Sequence, residues 1–214
     1  MFVAKHYLEP RVRGDIEVSL ELRAVGNNLV LNRGDGTFDE RAAEYGVQQG
    51  GWGWAASMTD FDNDGDRDLV HTTQHVIRVD REDPVYTYPM VFQSNRSAAG
   101  DDGAFTRVNK STNGMRETDG RGLATLDYDR DGAQELIVAT YDDPFVVYDN
   151  AAAADRNSLQ FRVVDESGAT ALGADVTVTT DGEQVVHQTD NTDYLSQDSR
   201  VEHVGLGAHE TASL

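Results

Sequence analysis

The 214-residue chain has no cysteine, four prolines, two tryptophans and only two lysines, Lys5 and Lys110. The missing cysteine excludes disulfides, zinc–thiolate centres and thiol catalysis. No apolar run reaches the roughly 18 residues of a membrane-spanning helix. Met1–His6 begins no long apolar stretch of the signal-peptide kind. Neither a G-x-S-x-G nucleophile element nor a glycine-rich phosphate loop occurs, so the common hydrolase and nucleotide-binding signatures are absent. Positive charge is scarce: 18 Lys and Arg stand against 38 Asp and Glu, a net charge of −20. Phosphate recognition needs clustered Lys and Arg, which disfavours nucleic acid as a partner and predicts no membrane insertion or anionic-membrane binding. Dense carboxylate with almost no lysine points to adaptation to high salt, where self-repulsion is screened; an ordinary acidic secreted protein is the alternative.

What is present is acid in a pattern. Asp60-Phe-Asp62-Asn-Asp64-Gly65-Asp66-Arg-Asp68-Leu69 places carboxylates at loop positions 1, 3, 5 and 9 and glycine at 6. Asp127-Tyr-Asp129-Arg-Asp131-Gly132-Ala133-Gln-Glu135-Leu136 repeats it. Alternating acids that turn at a glycine converge their oxygens on one point, which suits a hard cation such as Ca²⁺. An EF-hand needs a bidentate Glu at loop position 12 and helices on both sides. His71 and Val138 occupy that position here, and β-rich segments follow.

The loops belong to an internal repeat. A D-G-x-F turn, Asp35–Phe38, starts 25 residues before Asp60, and Asp102–Phe105 starts 25 residues before Asp127. Short β-rich runs flank the loops: 28–32, 69–73, 136–140 and 145–148. Strand-rich repeats a few tens of residues long indicate propeller blades. Met1–Ala4 matches the strand that follows an acidic loop, so the motif order predicts that the chain starts inside a blade whose own loop is missing, as a fragment or shortened reading frame would. After Asn150 the texture changes. Residues 151–155 read as a linker or a single helical turn, and 159–164, 174–179 and 184–188 as strands, with Asp181-Gly182 a tight hairpin turn.

The D-x-D-x-D-G-x-x-D-L arrangement resembles the calcium loop of FG-GAP repeats, the blades of integrin-type β-propellers. Asn28-Leu-Val-Leu-Asn-Arg-Gly-Asp-Gly-Thr-Phe38 resembles an element of the cartilage acidic protein family. Gly173–Val178, Tyr194–Gln197 and His203–Gly207 resemble the ASPIC/UnbV domain that follows such propellers. The resemblance implies an all-β fold: a partial propeller of about two full blades plus a partial one over residues 1–150, then a small antiparallel β module over 151–214. It departs from the family at Ala104, where Thr is usual, and at Glu135. It also implies the ligands: Asp60, Asp62, Asp64 and Asp68 with the Asp66 carbonyl, and Asp127, Asp129, Asp131 and Glu135 with the Ala133 carbonyl.

The functional expectation is a non-catalytic binding or adhesion module with structural Ca²⁺, an unknown protein or carbohydrate ligand, and an extracellular or envelope setting. Open sheet edges would favour self-association. The alternatives are part of a polysaccharide-acting enzyme, which needs an acidic pair outside the metal loops, and a nucleic-acid binder. His71 and His75 share a strand face but lack a third ligand, so ordinary histidines are expected. Trp52 and Trp54, beside glycines, are expected to pack between blades, with the lining of a ligand surface as the alternative. The sequons at Asn95 and Asn109 carry weight only in a secreted protein.

Overall fold

A computed structural model describes residues 2–3, 26–51, 53–73, 88–94, 104–108, 115–153, 155–181, 183–188 and 194–214. His75, Trp52, Asn95, Asn109 and Asp102-Gly103 lie outside the described residues. Every regular element among those described is a strand, in five antiparallel sheets. The first sheet joins β1 (Phe2–Val3), β2 (Asn28–Asn32) and β3 (Phe38–Glu40). The second is a four-stranded meander of β4 (Gly53–Thr59), β5 (Asp68–Thr73), β6 (Met90–Ser94) and β7 (Phe105–Arg107). The third joins β8 (Gly120–Leu126), β9 (Glu135–Thr140) and β10 (Val146–Tyr148). β1 pairs with β2 as β5 pairs with β6, so Phe2–Val3 takes the place of the strand that follows an acidic loop.

Side chains alternate across a strand, and β5 uses both faces. All six of its residues are buried. Leu69 joins Leu29, Met90 and Phe92 in a core between the first two sheets. Val70, one residue on, joins Ala55, Leu123, Leu136 and Val138 in a core between the second and third. The sheets therefore stack face on face, as propeller blades do. Both acidic loops lie at the same end of this stack, one in the β4–β5 connection and one in β8–β9.

The C-terminal strands β11 (Asn157–Phe161), β12 (Asp175–Thr180), β13 (Glu183–Gln188) and β14 (Glu202–Gly207) form two ladders, β11–β14 and β12–β13. Thr180 pairs with Glu183 at the end of the β12–β13 ladder, and Gly182 lies outside the described residues. Val178, Val204 and Leu206 form a small core with Leu159, Phe161 and Val176 around it. This module does not stand apart. Ser196 Oγ and Asp198 Oδ1 accept the N–H groups of Leu123 and Thr125 at 3.0 and 2.8 Å, covering alternate donors along the free edge of β8. A Cβ on Gly122 would lie 2.7 Å from the Leu195 carbonyl oxygen, so the chain comes close to this edge. Trp54 stacks on Tyr194 and meets the Arg121 guanidinium 4.6 Å from its ring centre, so it bridges two sheets and the C-terminal module.

Candidate metal centres

The two acidic loops are the same object built twice. Position 4 of each, Asn63 and Arg130, has φ of 57° and 66°; the position-6 glycines have φ of 98° and 92°. That left-handed pair turns the chain back on itself, and the second position suits only glycine well. The first aspartate receives the amide of the glycine: Gly65 to Asp60 Oδ2 at 2.8 Å, Gly132 to Asp127 Oδ2 at 3.1 Å. The acid at position 9 closes the loop by accepting the amide at position 2: Phe61 to Asp68 Oδ2 and Tyr128 to Glu135 Oε2, both 3.0 Å. Glu135 therefore takes the part of Asp68 with a longer arm.

Of the residues expected to bind metal, Asp60, Asp62 and Asp68 bring one oxygen each to within 4.8 Å of one another, and so do Asp127, Asp129 and Glu135. Asp64 and Asp131 are exposed, and each accepts the amide two residues ahead, from Asp66 and Ala133. Asp66 is half-buried and Ala133 buried.

The first cluster is costly as it stands. Asp60, Asp62 and Asp68 are 4%, 8% and 2% exposed. Burial pushes Asp60 and Asp68 up to about 7, with neighbouring carboxylates adding to the effect. The Asp64 carboxylate, though the residue as a whole is exposed, is partly desolvated among its neighbours, which raises it, and Asp62 adds to the effect. At the second loop burial likewise raises Glu135, and Asp129, Asp131 and Asp127 add to it. Arg156 brings positive charge to the first cluster, 2.8 Å from Asp62 Oδ2. Gln93 donates to the same oxygen. Asp62 Oδ1 and Glu135 Oε1 are fully shielded from water and have no hydrogen-bond donor. A buried acceptor without a donor costs about 1–3 kcal/mol, and more when charged. One such oxygen in each cluster, with all-oxygen ligands and surplus negative charge, fits a hard divalent cation. A cavity of 550 Å³ lies against the first cluster, with Asp62 and Asp68 in its wall beside Phe61, Val91, Leu136 and Tyr148.

His71, expected to be an ordinary histidine, lies inside the sheet stack, and His75 lies outside the described residues. His71 is fully buried, stacks on Phe92, and burial lowers it to about 4.

Several residues at the loops carried no sequence expectation. Asn63 donates to the Gly132 carbonyl at 2.9 Å and so ties loop to loop. Asn150 donates to the carbonyls of Phe61 and Gln134, again spanning the two loops. Gly205 donates to Asp60 Oδ2 at 3.1 Å, and Gln160 to Asp127 Oδ2 at 2.6 Å. The one sequence signal for them is the His203–Gly207 segment, which contains Gly205.

Residues 15–71 match the family model described as FG-GAP-like repeat. Residues 164–214 match the model described as ASPIC and UnbV. The domain composition is thus an FG-GAP-like repeat followed by an ASPIC/UnbV domain. No curated protein matches the chain. The first match ends at His71 and contains the Asp60 loop; the Asp127 loop lies outside both matches and is tied to the repeat by the hydrogen-bond pattern it shares.

Proposed function

We propose that this chain is a Ca²⁺-binding, propeller-type binding module in which the cation is structural and no catalysis is performed. The observation that carries the reading is the unsatisfied buried carboxylate oxygen in each of two equivalent loops. A cation bound there neutralises acids that otherwise repel, and fixes the turn from the first strand of a unit to the second. Asp60, Asp62 and Asp68 hold it in the first loop, with Asp64 and the Asp66 carbonyl completing the sphere. Asp127, Asp129 and Glu135 hold it in the second, with Asp131 and the Ala133 carbonyl.

The ligand, a protein or carbohydrate, binds at the rim opposite the loops. Support for this placement comes from the far ends of β4, β8 and β9. There Arg121 lies between the rings of Trp54 and Tyr141, and Tyr141 and Tyr194 are exposed. The Asn28–Phe38 element and the order of domains support a likeness to the cartilage acidic protein family, and with it an extracellular or envelope setting. The test is calorimetric titration of the chelator-treated chain with Ca²⁺. Two bound ions are expected, with Mg²⁺ far weaker because it demands a tighter octahedral shell. Absence of any binding heat, together with an unchanged melting temperature, refutes the reading.

A further inference from the structure

We propose that the two acidic loops and the strand pair β11–β14 form one metal-linked joint, in which cation binding and docking of the C-terminal module strengthen each other. The inference rests on the reading that the loops hold Ca²⁺. It goes beyond that reading by making the C-terminal module part of the metal site.

The contact is backbone against backbone. Gly205 sits so close to the first loop that a Cβ would lie 2.2 Å from Asp60 Oδ2 and 2.4–2.5 Å from the Asn63 backbone. Its amide donates to Asp60 Oδ2, and the Gly207 amide donates to the Asn63 carbonyl at 2.8 Å. His203 Nε2 lies 2.7 Å from Asn63 Oδ1. An amide oxygen only accepts, so this nitrogen carries the proton. Strand β11 grips the second loop in the same way: Ser158 Oγ donates to the Gly132 carbonyl at 2.8 Å, and Gln160 to Asp127 Oδ2. Between them Arg156 donates to the Asp62 carbonyl and pairs with its carboxylate, both at 2.8 Å. The module thus touches the first aspartate of each loop, and it touches loop carbonyls whose positions depend on how the loop is wound.

The direction of coupling follows. Without a cation the clustered carboxylates repel, the loops lose their winding, and the carbonyls of Asn63 and Gly132 leave the places that β11 and β14 need. With a cation the loops close and present those carbonyls. Conversely, the Gly205 and Gln160 N–H groups fix the orientation of Asp60 and Asp127, as outer partners of metal ligands do. Linkage makes the two effects equal in size.

The test uses the full chain and Ca²⁺ alone. Hydrogen exchange of the Glu202–Gly207 peptide is followed by mass spectrometry with and without Ca²⁺, and Ca²⁺ affinity is measured for wild type, Gly205→Ala and Gln160→Ala. The exposed Gln160 side chain can be removed without disturbing a core, so it remains informative if Gly205→Ala fails to fold. Slower exchange in Ca²⁺, with about tenfold weaker Ca²⁺ binding in Gln160→Ala at unchanged circular dichroism, is expected. Wild-type chain that binds Ca²⁺ while exchange in this peptide stays the same and Gln160→Ala keeps full affinity overturns the joint but leaves the Ca²⁺ reading standing. Wild-type chain that binds no Ca²⁺ overturns both.

Discussion

Asp68 shows how much one carboxylate does in this chain. Its two oxygens accept the amides of Phe61 and Ser94 while its charge faces Asp60 and Asp62. Asp68→Asn swaps one acceptor for an NH₂ that faces a donor, and it removes a ligand charge. Calorimetry should then count one Ca²⁺ instead of two, with Glu135→Gln giving the same loss at the other loop; two ions bound by either variant would separate these residues from the sites. His71 makes a different prediction. Burial holds its folded value at about 4, below the ordinary value of about 6.5. Its contribution to stability is complete above the unfolded value and is lost as pH falls towards the folded one. The loss amounts to about 3 kcal/mol. Asp60 and Asp68 oppose it in metal-free chain: their folded values are raised, so their share of stability grows as pH falls through about 7. Comparing urea unfolding of wild type and His71→Gln at pH 7 and 4.5 isolates the histidine, since the loops are common to both. Equal pH slopes would show that His71 does not titrate on unfolding.

At the scale of elements, the decisive feature is how β8 ends its sheet. An open edge invites pairing with another chain, and the sequence leads one to expect such edges. Asp198 instead accepts Thr125 N–H and the Ser57 hydroxyl, and Ser196 accepts Leu123 N–H. Asp198→Ala strands a backbone donor on this edge and should cost about 1–3 kcal/mol. A lower melting temperature and stronger concentration-dependent association in sedimentation are the expected readouts; a variant as stable as wild type and no more associated would mean that the edge is not protected by Asp198. The strand–loop–strand units were legible in the chain because their signals are local: acids at alternate positions, a glycine at the turn, β-branched residues beyond. The antiparallel pairing of β12 with β13 was legible for the same reason. Asn63 was not. It looks like a spacer between two aspartates, and only the fold puts Gly132 and His203 against its two ends. Gly205 meets Asp60 across 145 residues, a distance over which no periodicity reaches. His71 shares a strand pattern with surface residues, and only the stacking of sheets on both faces of β5 decides that it is buried.

At the scale of the whole molecule, a net charge of −20 acts on every element at once. Cations bound in the loops would relieve the two densest points but would leave acid spread over the surface, including Asp142, Asp143 and Asp149. Exposed ion pairs such as Arg33–Asp39, Arg41–Glu44 and Arg116–Asp143 add little that screening can remove, because such pairs are worth about 1 kcal/mol or less each. Repulsion among the surplus carboxylates outweighs these attractions, so added salt should stabilise the chain. The Debye length falls from about 10 Å at 0.1 M to about 3 Å at 1 M, so most screening of surface neighbours is gained below about 1 M. With Ca²⁺ held saturating, the melting temperature should climb by about 5 °C between roughly 0.1 and 1 M NaCl and then flatten, as a gain of about 2 kcal/mol implies for a chain of this size. A steady climb to much higher salt would point to solute exclusion from apolar surface instead. A flat or falling curve would show that the acidic surface is not under strain, and would remove the physical basis for reading the charge as an adaptation to salt.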